Sequence, residues 1–208
     1  MANTTFSGPV RSKGGFTSIS ENATTGAITT LSSISSTGIS SFDANTLATE
    51  AGTGITGGTG TIYRSSVQRV GGIITTRILI DLTGLRSTAS GDIIGVNGTS
   101  NVCHIGQITA ARNGTILTGS MECFEAPAGG DPDINVHSAT EGTGVEDGAI
   151  SSLTETLLVN AGDATLGSKV YFSAVPAADE FLYLTLGDTT DADYTAGKLF
   201  IELMGYEA

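Results

Sequence analysis

His and Cys, which serve most often as zinc ligands and as nucleophilic or acid–base groups, are scarce in this chain. Its 208 residues include two Cys, at positions 103 and 123, and two His, at positions 104 and 137. A structural zinc site needs four ligands, and His104 with Cys123 would supply only two of them. We therefore predict that His104 packs in the core, that His137 lies in an acidic loop, and that the chain binds no metal and no other cofactor.

The sequence motifs of common enzymes and nucleotide-binding proteins are missing. No Gly-X-Ser-X-Gly sequence is present, and neither His has a recognisable catalytic context. The Gly-rich residues 52–60 are not followed by the Gly-Lys-Ser/Thr of a phosphate-binding loop, and no basic patch alternates with aromatic residues. These absences predict a protein that is not an enzyme and does not bind nucleic acid. A polysaccharide-degrading enzyme, which would need two carboxylates facing one cleft, is the least favoured alternative.

Three carboxylates lie close together in sequence, at Asp188, Asp191 and Asp193. Calcium takes several oxygen ligands from turns of this kind. The spacing does not match an EF-hand loop, and no Glu closes it. We therefore expect a solvated acidic turn, with calcium binding as the alternative.

Composition and charge indicate a β protein with an uneven surface. Gly accounts for 29 residues and charged residues for only 14% of the chain, while Thr, Ile and Val suit pleated strands. The net charge is −12, and it is concentrated in residues 121–208, which carry sixteen acids and two Lys. Residues 1–120 carry seven bases and five acids. The acidic part should repel nucleic acid and favour solubility.

The first residues contain no apolar segment typical of a signal peptide, and no apolar run reaches the ~18 residues of a membrane span. We therefore expect synthesis in a cytosol and no membrane contact. In that compartment thiols stay reduced, which predicts two free, buried Cys.

The clearest strand signal lies in residues 61–82, which surround Gly71-Gly72. A two-residue turn at these glycines pairs Val70 with Ile73 and Tyr63 with Ile80. One face of the resulting hairpin is then apolar and the other mostly polar, apart from Leu79, as a half-buried antiparallel sheet requires.

A second hairpin is predicted around Asn113-Gly114, between residues 102–111 and 116–124. This register places His104 opposite Cys123 and puts Cys103 and Cys123 on opposite faces, where they could not form a disulfide.

The rest of the chain divides into segments of different character. Residues 17–60 form a Ser/Thr/Gly-rich segment of low complexity with short strands, in which residues 52–60 read as a linker. Residues 61–208 form an antiparallel β domain, within which residues 125–150 are a long exposed excursion. Further strands are predicted at residues 152–159, 168–175, 180–187 and 197–206. The predicted fold class is all-β, an antiparallel sandwich or jelly roll.

Residues 1–16 read as an extended N-terminal arm, because Pro9 forbids a regular helix and three Gly loosen the backbone. We predict that the arm binds a partner subunit. The side chains expected to make this contact are Phe6, Val10, Arg11, Lys13 and Phe16.

Two stretches carry a resemblance to a known family. NTTFSGPVRSKGGF, residues 3–16, resembles the start of small virion structural proteins of marine tailed bacteriophages, and YTAGKLFIELMGYEA, residues 194–208, resembles a terminal strand of such proteins. The resemblance implies a capsid decoration (cement) protein on the virion surface. Its partners would then be the major capsid protein and copies of itself, as a homotrimer.

A second function also fits an all-β virion protein. A head-fibre or tail-associated β module could bind a receptor or glycan through aromatic residues in its loops. Tyr194 and Phe42 are the main candidates for that role.

Overall fold

The computed structural model describes the backbone of residues 16–21, 28–34, 40–42 and 50–207, and the side chains of residues 50–86 and 88–207. The chain forms two compact units, residues 1–47 and 48–208. Of the predicted arm residues only Phe16 falls within the described backbone; Phe6, Val10, Arg11 and Lys13 lie outside it.

The first unit contains a three-stranded antiparallel sheet. Its strands are β1 (Phe16–Glu21), β2 (Ile28–Ile34) and β3 (Ser40–Phe42), with β2 in the middle. The pairing of β1 with β2 starts with Phe16 opposite Ile34 and is shifted between Ser18 and Ile19. The Ser, Thr and Ile of this segment therefore form short strands that pair with one another.

The second unit is an antiparallel sandwich. In chain order its strands are β4 (Tyr63–Val70), β5 (Ile73–Asp81), β6 (Arg86–Ser87), β7 (Gly106–Gln107), β8 (Thr115–Ala128), β9 (Ile134–Ala139), β10 (Glu155–Val159), β11 (Lys169–Tyr171), β12 (Phe181–Leu186), β13 (Ala192–Asp193) and β14 (Ala196–Tyr206). One sheet has the order β11-β8-β14-β5-β4, and the other has the order β10-β9-β12-β7. A small ribbon pairs β13 with β6. The predicted all-β class is confirmed.

The inner faces of the two sheets form one hydrophobic core. The five-stranded sheet contributes residues such as Ile78, Ile201 and Met121, and the four-stranded sheet contributes residues such as Val136 and Leu184. Alternate residues along β5 and β14 point into this core, which is the period-2 pattern of a strand with one buried face. Burying such aliphatic side chains is the dominant favourable term in folding.

The inner strands β9 and β12 of the four-stranded sheet are covered on the second face as well. Tyr183 and Thr185 of β12 are buried although their neighbours Leu182 and Leu184 already fill the core side. Gly142 and Gly144 make this covering layer possible, because a Cβ at either position would lie within 3 Å of the Phe181 or Tyr183 ring. The five-stranded sheet is different, since its alternate residues Arg77, Met204 and Tyr206 are not buried.

The first predicted hairpin is confirmed in register. β4 pairs with β5 from Val70 opposite Ile73 to Tyr63 opposite Ile80, without a shift. Gly71 and Gly72 both have positive φ, 60° and 83°, as a two-residue turn of this type requires. Val67, Ile74, Ile78 and Ile80 are buried on the predicted face.

The second predicted hairpin is wrong. Residues 110–113 form a short helix, α2 (Ala110–Asn113), and β7 before it joins the other sheet, next to β12. β8 pairs with β14 and β11, so His104 is not opposite Cys123. Asn113 is fully buried: its side chain accepts a hydrogen bond from the backbone N–H of Thr109 at 2.9 Å and donates one to Thr76 Oγ1 at 2.8 Å. These bonds hold Asn113 in a helical turn instead of a hairpin turn.

Two segments expected to be loose are packed. Residues 125–150 are not an exposed excursion, because β8 continues to Ala128 and β9 lies between β10 and β12 with Ile134 and Val136 buried. Residues 52–60 are not a free linker, because α1 (Thr53–Thr56) buries Ile55, and Gly54 donates a backbone hydrogen bond to the carbonyl of Val102 at 2.9 Å. In both cases apolar residues between the Gly and acidic positions provide the contacts with the core.

Replacing Asn113 should test the buried turn that displaces the predicted hairpin. Asn113→Ala removes two side-chain hydrogen bonds and leaves the Thr76 hydroxyl without its donor, so the free energy of unfolding should fall by about 1–3 kcal/mol. Urea denaturation measures this loss. The exposed Asn97→Ala is the matched control and should change stability by less than about 0.5 kcal/mol. Equal effects of the two substitutions would contradict the structural role of Asn113.

Candidate interaction surface

The exposed face of the five-stranded sheet is built by the strand register. Residues on all five strands lie side by side in rows that point away from the core, and we call this surface the outer face. Its first row is Lys198 with Asp81 and Glu125. The second row is Arg64, Leu79, Phe200, Glu122 and Lys169. The third is Ser66, Arg77, Glu202, Ser120 and Tyr171. The last two are Gln68, Thr75, Met204 and Thr118, and then Val70, Ile73, Tyr206 and Thr115.

Large apolar side chains are exposed at both ends of the outer face. At the hairpin end Val70 is 67% exposed and Leu117, beside a register shift in β8, is 55% exposed; Ile73, Met204 and Tyr206 are also exposed. Contiguous exposed apolar patches are uncommon on monomeric soluble proteins, and they often mark interaction sites.

A second apolar group lies at the opposite end of the outer face. The rings of Phe124 and Phe200 are stacked there, with centroids 5.1 Å apart and an interplanar angle of 9°. Leu79 lies opposite Phe200 on the neighbouring strand.

Ion pairs cross the middle of the outer face. Arg77 Nε lies 2.8 Å from Glu202 Oε2, and Lys169 Nζ lies 3.4 Å from Glu122 Oε2. Each pair joins residues that the register places directly opposite one another. Opposite charges in such positions stabilise the pairing of neighbouring strands modestly.

A third charged group lies in the row of Lys198, whose ammonium contacts both Asp81 and Glu125. Burial opposes ionisation of Asp81, but hydrogen bonds from Thr83 and Lys198 outweigh it and lower the pKa of this carboxyl. Asp81 therefore stays ionised and holds Lys198 in place at neutral pH.

The charges of the outer face balance. Its four bases are Arg64, Arg77, Lys169 and Lys198. Its four acids are Asp81, Glu122, Glu125 and Glu202. The whole net charge of −12 therefore belongs to the rest of the chain. A neutral, partly apolar surface on an acidic protein is suited to contact with another macromolecule.

The acidic turn at Asp188, Asp191 and Asp193, for which calcium binding was the alternative, contacts a base that the sequence pattern did not reveal. Arg86 binds Asp191 through its guanidinium and lies 3.7 Å from Asp193. Asp188 accepts a hydrogen bond from the backbone N–H of Thr189 at 2.8 Å. In the part of the chain that the structure describes, no three His, Cys, Asp or Glu side chains are arranged to hold a metal ion.

The two His have structural surroundings of different kinds. His137 is not in an exposed loop but on β9, where its Nδ1 lies 2.7 Å from Glu155 Oε2. The ring of His104 packs against Phe181 and Tyr183, with centroids 5.0 and 6.4 Å away. His104 Nδ1 is buried without a hydrogen-bond partner among the described residues. Burial lowers the pKa of His104.

Both Cys are free and buried, as predicted. The hairpin that was expected to keep Cys103 and Cys123 apart does not form, because β8 pairs with β14 and β11. The Cys103 thiol donates to the carbonyl of Asn101 at 3.3 Å, and the Cys123 thiol donates to that of Glu125 at 3.2 Å. Burial raises the pKa of Cys103 to about 12 and also raises that of Cys123. Both thiols are therefore protonated and unreactive at neutral pH.

Tyr194 is not a loop aromatic available to a glycan. It is 1% exposed, and its hydroxyl donates a hydrogen bond to the carbonyl of Asp131 at 2.8 Å. The side chain of Phe42, the other aromatic proposed for that role, lies outside the described part of the chain.

The fold and the outer face define an all-β sandwich with one exposed, neutral sheet surface. No protein-family model, curated protein or solved structure matches this chain. Within residues 50–207 and the described strands before them, no helix is long and apolar enough to cross a membrane.

His104 should make stability depend on pH. The folded state disfavours protonation of His104, so the unfolded chain binds more protons below the ordinary His pKa of about 6.5. The free energy of unfolding therefore decreases as the pH is lowered through this range. His104→Phe keeps an aromatic ring without the titration and should make this decline shallower between about pH 7 and 5, as measured by urea denaturation. His137→Gln serves as control and should retain the contribution of His104. Equal slopes for the wild type and His104→Phe would refute the assignment.

Proposed function

We propose that this chain is a non-enzymatic virion structural protein, and specifically a capsid decoration (cement) protein that binds the outer surface of a tailed-phage head. The resemblance of residues 3–16 and 194–208 to virion structural proteins supports this proposal. The observation that carries it is the outer face, which is exposed, neutral and partly apolar in an otherwise acidic sandwich. Such a surface suits contact between neighbouring subunits of a virion protein, while the N-terminal arm makes the contact with the shell.

The buried titratable side chains support a structural role instead of a chemical one. The Tyr183 and Tyr194 hydroxyls donate to backbone carbonyls, at 2.7 and 2.8 Å, and burial raises the pKa of each. His137 is bound to Glu155, and Arg86 is bound to Asp191 and Asp193. Each of these groups connects separate segments of the fold.

In the proposed mechanism, apolar side chains of the N-terminal arm, residues 1–16, become buried against the shell, and the contributions of many copies add up. Phe6, Val10, Arg11, Lys13 and Phe16 dock on a neighbouring coat or decoration subunit of the shell, and each buried Phe contributes about 1.5–3 kcal/mol. Many copies on one shell multiply this contribution through avidity.

The partners in this proposal are the capsid protein and further copies of the chain, clustered as a homotrimer at the virion surface. The acidic remainder of the molecule faces outward, where it keeps particles mutually repulsive and disfavours nucleic acid.

Removing the arm tests the proposal. Deleting residues 1–15 leaves all described strands in the chain, and it should abolish co-sedimentation with purified shells because the apolar anchors Phe6 and Val10 are lost. Circular dichroism and the melting temperature should stay at wild-type values. Shell occupancy is counted by electron microscopy of the mixtures.

A substitution within the full-length chain sharpens this experiment. The double variant Phe6→Ser with Val10→Ser should weaken shell binding at least tenfold, which corresponds to about 1.4 kcal/mol or more. Thr4→Ser with Thr5→Ser is the matched control and should bind as the wild type does. Undiminished occupancy by the truncated protein would rule out the arm as the shell contact.

A further inference from the structure

The outer face has no net charge, although the chain as a whole carries −12. Two copies of so acidic a protein repel one another over most orientations, because like charges raise the energy of contact. The repulsion is smallest where each copy presents a surface on which positive and negative charges cancel. On the outer face every one of the four carboxylates has a basic partner within the same sheet.

We propose that the outer face is the surface through which this chain binds a second copy of itself. The proposal deepens the proposed function and rests on it for its biological setting, since it names a surface that joins subunits of neighbouring trimers. A face that packs on the same face of another copy closes at two chains, so this contact is distinct from the one that forms the trimer. The contact itself is a property of the protein alone.

The distribution of side chains fits contact between two sheets. Val70, Ile73 and Tyr206 give one end of the face an apolar surface, and the stacked Phe124 and Phe200 give one to the other end. Two sheets that pack face to face lie about 10 Å apart, a distance that interdigitating side chains of this size fill.

The charged middle of the face is compatible with burial in such a contact. Arg77 and Glu202 are already paired at 2.8 Å, so covering them leaves neither charge without a partner. Across a self-contact the same groups can also pair with their counterparts on the other copy, which gives the contact specificity.

The area of the face is sufficient for a stable association. The five strands range from the 3 residues of β11 to the 14 of β8 and together contain about 45 residues, which at ~3.4 Å per residue and ~4.8 Å between strands cover roughly 730 Å² per copy. Specific interfaces bury about 600–1,000 Å² per partner. The outer face therefore falls within that range without a contribution from another surface.

Sedimentation velocity of the full-length chain at ~1–100 µM tests the proposal. We expect a concentration-dependent species with a mass that is a multiple of 21.0 kDa. Val70→Asp places an unpaired charge in the contact, at a position 67% exposed in the single copy, and should weaken association at least tenfold. Leu166→Asp adds the same charge at a position 74% exposed outside the sheet, and should have no effect.

Lysine labelling provides a second measurement that does not rely on a variant. Lys169 and Lys198 both lie on the outer face, so their reaction with an amine reagent should slow as the protein concentration rises. A chain that is monomeric throughout the range would overturn the proposal, as would equal effects of Val70→Asp and Leu166→Asp.

The shell-binding assay separates this proposal from the proposed function. Loss of shell binding by Val70→Asp with unchanged self-association would assign the face to the capsid protein and overturn the self-contact. Self-association without any shell binding would support the self-contact while refuting the decoration role.

Discussion

The pairing of β14 with both β5 and β8 is the constraint on which the second unit depends. β14 lies between strands that begin about 120 and 80 residues earlier in the chain, and its residues from Lys198 to Tyr206 pair with the whole length of β5. Its Leu199, Ile201 and Leu203 are fully buried, so the same strand also supplies the centre of the core. Long-range pairing of this kind carries a large entropic cost of loop closure, which only extensive burial offsets.

The position of β14 also explains which parts of the fold could be predicted from the sequence. The β4–β5 hairpin is local: alternating residues and two adjacent Gly set its register without help from distant segments. Asn113-Gly114 carries an equally strong local signal, but β8 finds its partners in β14 and β11 instead of the residues before the turn. A rule for short-range turns does not include a competing strand some 80 residues away.

The candidate surface could be predicted in part for the same reason. The polar side of β4 and β5, with Arg64 and Arg77, follows from alternation along the hairpin. The continuation of that surface through Phe200, Glu202 and Glu122 depends on strand order, which the sequence pattern does not contain. The ion pair of Arg77 with Glu202 joins residues 125 positions apart, and that of Arg86 with Asp191 joins residues 105 positions apart.

The difference between the two sheets has an electrostatic consequence. The inner strands β9 and β12 of the four-stranded sheet are largely buried on both faces, because Gly142 and Gly144 let a loop lie directly on aromatic rings. The five-stranded sheet keeps one open face, and there four bases balance four acids. If contact covers this face, what remains in water is strongly acidic. One arrangement of strands can then separate a surface that attracts neighbouring subunits from a surface that repels other particles.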